Sequence, residues 1–194
     1  MLPPPPARRR LFTAMPFRPI AAAAAVTLAA VTLAACSPTY NWRQLRVEGT
    51  PLQALMPCKA ESAARPVPLG LPTAAATLTM HSCQAGGLTF AVAWVALPDG
   101  SDAAAALDQW RQGALSTIQG TPDAAPNAPS FAPRVKGAPD AQGLRARGRT
   151  PDGRDVVMQA VYARRGGQLY QGAIYGPAIP DEVSTTFFDG LSLP

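Results

Sequence analysis

The alternation of Leu78, Met80 and Ser82 with Thr77, Thr79 and His81 predicts a strand with one apolar face. Gly86 and Gly87 then turn the chain, and Leu88 to Leu97 (LTFAVAWVAL) read as a strand apolar on both sides, which predicts cover on both faces of its sheet. Ser101 and Asp102 offer a helix start. Behind them Ala103, Leu107, Trp110, Ala114 and Ile118 recur at helical spacing until Gly120 supplies a stop. Trp110 on that pattern reads as a core anchor.

Shorter elements flank this centre. Leu45 and Val47 mark a strand, and Leu52 to Met56 a second one before Pro57 and Cys58. Residues 121–139 carry five prolines and several alanines, which forbid a regular helix; they read as a loop with Phe131 tucked back onto the core. Gly143 to Thr150 and Arg154 to Arg164 form a hairpin around Pro151, Asp152 and Gly153. Gly166 and Gly167 make the next turn, Gln168 to Gly176 a third strand, and Asp181 caps a closing helix holding Val183, Phe187 and Phe188, ended by Gly190.

The first 35 residues follow another rule. Arg8, Arg9, Arg10 and Arg18 are their only charges, and Ile20 to Ala35 are almost wholly apolar. This is the layout of a signal peptide, and sixteen alanine-rich residues fall short of the roughly 20 that a transmembrane helix needs. The run ends on Leu33, Ala34, Ala35 and Cys36, which resembles the lipobox of bacterial lipoproteins. The resemblance implies cleavage before Cys36, diacylglycerol on its sulfur and an acylated new amino terminus. Arg9, Arg10, Leu11 and Phe12 partly resemble a twin-arginine core; the alternative is an ordinary basic leader, with translation starting at Met15 or at Met1. Ser37, where aspartate would resemble an inner-membrane retention signal, implies transfer to the periplasmic side of the outer membrane. The expected division is therefore a signal peptide over 1–35, a lipidated terminus and short tether over 36–44, and one globular domain over 45–194.

Processing changes the charge. The whole chain carries +5, but all four basic residues lost with the signal leave 13 against 12, a mature charge of +1 that gives no support to nucleic-acid binding. Two cysteines remain in an oxidising compartment, Cys58 and Cys83, and they are expected to pair, stapling the first strands of one antiparallel sheet.

The order of elements from about residue 50 implies an α+β fold, an antiparallel sheet flanked by helices. It resembles the PsbP-like α/β/α sandwich, and the chain is also similar to small proteobacterial lipoproteins. Neither resemblance brings a catalytic residue or cofactor with it.

Chemistry-bearing motifs are sparse. His81 is the sole histidine, and Lys59 and Lys136 are the only lysines. No GxSxG, HExxH, P-loop or CxxC pattern occurs, so no catalytic residue, metal ligand or cofactor is assigned. One constellation is basic: Arg145, Arg147 and Arg149 alternate and so share one strand face, with Arg154 just past the turn and Arg134 and Lys136 nearby. It is a candidate platform for an anionic envelope component or an envelope protein; the competing reading is a solvated face that discourages edge aggregation. The expected function is a membrane-anchored, non-catalytic binding module, with a periplasmic enzyme or accessory subunit as the alternative.

Overall fold

The computed structural model describes residues 38–71, 76–123 and 131–194. The signal segment and Cys36 lie outside them. Residues 39–194 form one compact unit. Its strands are β1 (Arg43–Arg46), β2 (Gln53–Met56), β3 (Glu61–Val67), β4 (Ala76–Ala85), β5 (Leu88–Ala96), β6 (Thr121–Pro122), β7 (Gln142–Arg149), β8 (Asp155–Arg165) and β9 (Gln168–Gly176). Its helices are α1 (Ala103–Thr117) and α2 (Asp181–Asp189). Among the described residues, no helix is long and apolar enough to cross a membrane.

Seven strands form one antiparallel sheet in the order β3-β4-β5-β9-β8-β7-β6, and β1 and β2 pair as a separate hairpin. The fold is therefore α+β around a large antiparallel sheet. Strand alternation sorts the core into two layers. Phe90, Val92, Val161 and Ile174 face Met56 of the hairpin and Phe187 and Phe188 of α2. Ala93, Val95, Met158 and Tyr162 face Ala106, Leu107 and Trp110 of α1. Cover on both sides explains why β5 lacks polar alternation.

The α1 start is as the sequence reads. The Asp102 carboxylate accepts the N–H groups of Ala104 and Ala105 at 3.0 and 3.1 Å, satisfying two donors of the first turn. Its end differs in detail. Gln119 takes the left-handed conformation (φ +46°), and Gly120 donates its N–H to the Leu115 carbonyl at 2.8 Å. Glycine is needed next door at Gly148 of β7, where a Cβ would meet the Ile118 carbonyl oxygen at 2.2 Å. That close approach lets the Arg149 N–H donate to the same carbonyl at 2.6 Å, tying the helix end to the sheet.

Three sequence expectations need correction. The Cys58–Cys83 disulfide is present with Cα atoms 5.9 Å apart, but it does not join strands of one sheet. Cys58 follows β2 of the hairpin and Cys83 lies on β4, so the bridge ties the hairpin to the main sheet. Second, Asp181 is the first residue of α2 and not its cap. Pro180 holds the cap position with an extended backbone and accepts the Ser184 N–H at 3.0 Å, while Asp181 and Glu182 complement the helix dipole. Third, folded structure begins before residue 45, because Tyr40 and Trp42 pack on Phe90 with ring centroids 6.2 and 6.0 Å away. Within 121–139, Thr121 and Pro122 form β6 against β7, and Phe131 sits 5.0 Å from Phe188 on the core.

Candidate functional site

Leu144 and Ala146 of β7 point into the α1 layer, so Arg145, Arg147 and Arg149 project from the other face of the strand, as alternation requires. They do not stand alone there. The Asp123 carboxylate lies 3.4 Å from Arg145 and 3.5 Å from Arg147, and Asp155 lies 3.4 Å from Arg149. Arg154 pairs with Asp152 at 2.7 Å. A hydrogen bond from the Thr150 hydroxyl, with the Arg154 charge behind it, holds the Asp152 carboxyl below the usual carboxylate range. The stripe is thus a ladder of surface ion pairs, each worth about 0–1 kcal/mol, with much of its field neutralised within the chain.

His81 sits on the opposite face of β4 from Leu78 and Met80, between Ser62 of β3 and Val92 of β5. Burial lowers its pKa. No cluster of three metal-ligating side chains occurs among the described residues.

The concavity with ligand-like dimensions lies on the α1 face. Register brings it together. Arg65 of β3 pairs with Leu78 of β4, and Met80, Ala93, Gln171 and Tyr162 form one cross-strand row through β4, β5, β9 and β8. All of these project on one face. Helix α1 crosses that face, with the Trp110 ring edge-on to Tyr162 at 6.0 Å. Between the Gln109–Ile118 flank of the helix, the segment 65–69 and the sheet remains a cleft of about 550 Å³. Leu69, Leu78, Met80, Trp110, Ile118 and Val156 supply its apolar surface. Small groups on the helix flank, Gly113, Ala114 and Thr117, leave the room open.

Thr89, Gln109, Thr117, Thr150 and Gln171 add polar groups to the lining, and its only ionisable residues are Arg65 and Tyr175. Burial pushes the Tyr175 phenol up to about 12, against the opposing pull of the nearby Arg65 charge. At neutral pH the phenol therefore keeps its proton and is a hydrogen-bond donor, as the guanidinium is. Two donors on an apolar cleft can orient an acceptor group; they do not supply a base. A second depression of about 360 Å³, lined in part by Arg154 and Gly176, shares Thr89, Thr150, Val156 and Tyr175 with the first. Arg154 is the one residue of the predicted basic set that reaches this region. The sequence offered no cue to the cleft, because its residues come from seven separate segments whose adjacency is created by register.

Searches against protein-family models, curated proteins and solved structures return no match to this chain.

Proposed function

We propose that the protein is a lipid-anchored lipoprotein of the bacterial envelope whose globular unit is a non-catalytic binding module. The observation that carries the binding role is the composition of the α1 cleft, an apolar surface whose two ionisable groups are both proton-holding donors. Anchoring rests on Leu33 to Cys36 at the end of a sixteen-residue apolar run preceded only by positive charges. Two or three acyl chains, at about 0.8 kcal/mol per buried methylene, give stable attachment where a single chain is marginal. Ser37 supports the periplasmic side of the outer membrane as the destination.

The helix-sheet-helix layering and the antiparallel strand order support a PsbP-like sandwich as the fold type. Packing of Tyr40 and Trp42 onto Phe90 leaves only three residues between Cys36 and the first side chain packed on the core, which favours a module close to the bilayer. Metabolic labelling with a fatty-acid probe tests the anchor: the parent chain is expected to be labelled and membrane-associated, and Cys36→Ser unlabelled. Identical labelling and partitioning of the two would contradict the proposal.

A further inference from the structure

The cleft joins two unlike chemistries. Leu69, Leu78, Met80, Ile118 and Val156 give it apolar walls, whereas Arg65 stands at its edge as an exposed side chain on edge strand β3. All twelve acidic residues of the chain lie among the described residues, and none stands within ion-pair distance of Arg65. Arg145 and Arg147 share Asp123, and Arg149 and Arg154 have Asp155 and Asp152; Arg65, like Arg43, Arg46 and Arg134, has no carboxylate partner among the described residues, and of these four only Arg65 lines the cleft. Tyr175 lines the same cleft from β9, and its hydroxyl makes no hydrogen bond to another described residue. A cleft with an unpaired cation at its exposed edge, a phenol donor further in and apolar side chains along its walls is complementary to a molecule with a hydrocarbon body and an anionic end.

We propose that the cleft takes the chain of a single-chain anionic amphiphile, with the anionic head group held at the mouth by the Arg65 guanidinium. This rests on the cleft being the module's binding site. A volume of about 550 Å³ lies within the roughly 300–1,000 Å³ of sites for one small ligand. Two sources supply the chemistry, a fatty-acid carboxylate and a lysophospholipid phosphate. Gly113 provides the means to block it: it lines the cleft, and an added Cβ meets no atom within 4 Å. Leucine there starts from an unobstructed Cβ, adds bulk at the cleft wall and favours the helix.

The test exposes the full-length lipoprotein in liposomes to diazirine-bearing palmitate or to diazirine-bearing lysophosphatidylglycerol, and maps the adducts by mass spectrometry. Adducts are expected on β4 and the cleft flank of α1, competed by the same unlabelled lipid and reduced about tenfold or more by Gly113→Leu. Arg65→Gln should weaken the anionic probes about tenfold and a diazirine-bearing hexadecanol far less, because only an anionic head group loses an ion pair. Labelling by one anionic probe alone names that source, and labelling by both assigns the shared chemistry. Absence of cleft adducts, equal labelling of parent and Gly113→Leu, or neutral and anionic probes responding alike to Arg65→Gln would overturn the inference. The intact mass of the same sample reads acylation of Cys36 separately. Lipid on Cys36 without cleft adducts defeats the ligand assignment alone, and adducts concentrated on another face defeat the cleft while leaving a binding module.

Discussion

Trp110 of α1 meets Tyr162 of β8 edge-on, with ring centroids 6.0 Å apart and planes 79° to each other. This contact sets the height of the helix over the sheet, and with it the opening of the cleft beneath the helix flank. Trp110 is nearly buried, so Trp110→Ala removes one of the largest side chains of the α1 layer. A loss of about 3–5 kcal/mol is expected in urea denaturation, with Trp110→Phe costing markedly less. A loss under about 1 kcal/mol would show that α1 is not held by this contact.

The disulfide links two sheets that are otherwise joined only by the short connection from β2 to β3 and by side-chain packing. Its loop of 26 residues corresponds to about 3.5 kcal/mol of chain entropy removed from the unfolded state. Mass analysis of unreduced protein should find Cys58 and Cys83 joined. The Cys58→Ser, Cys83→Ser double variant should lose roughly 2–4 kcal/mol in denaturant, with faster amide exchange in β1 and β2 than in β8 and β9. Uniform loss of protection across all four strands would contradict a bridge that secures the hairpin in particular.

His81 gives the stability a definite pH dependence. Burial lowers its pKa in the folded state, so below the ordinary value of 6.5 the unfolded chain binds the proton more readily. The stabilising effect is complete above that value and is lost as pH falls from it toward the folded-state pKa. Denaturation midpoints should therefore drop as pH falls below 6.5, and His81→Gln should flatten that part of the curve. An unchanged slope in the variant would assign the pH response elsewhere.

The arginine ladder yields a prediction of near silence. With Asp123 between Arg145 and Arg147, and Asp155 beside Arg149, little charge is left for an outside partner. Changing all three arginines to glutamine should alter stability by about 1 kcal/mol or less and binding of the anchor-free chain to anionic vesicles by less than about threefold at low salt. A steep, salt-dependent fall in vesicle binding would reinstate the stripe as an anion platform.

How much was legible in the sequence follows from which signals are local. Periodicity and caps announced α1, because Asp102 and the Leu107–Trp110–Ile118 spacing act within one helix. Glycine turns and alternation likewise announced β4, β5 and the β7–β8–β9 meander. Strand β3 escaped notice, since Glu61 to Pro66 are exposed at a sheet edge and need no apolar face; Pro66 itself argues against a central strand. The ion pairs of Arg145 and Arg147 were equally invisible, as Asp123 reaches them only through the pairing of β6 with β7. The cleft depends on register across β3, β4 and β9, a relation between distant segments that no spacing along the chain records.

The intact mass of the protein extracted from membranes tests the central claim of anchoring most directly. The account predicts a chain beginning at Cys36, carrying the mass of a diacylglyceryl group with or without a further amide-linked acyl chain, and retaining one disulfide between Cys58 and Cys83. A chain that still carries residues before Cys36, or one in which Cys36 bears no lipid, would contradict it.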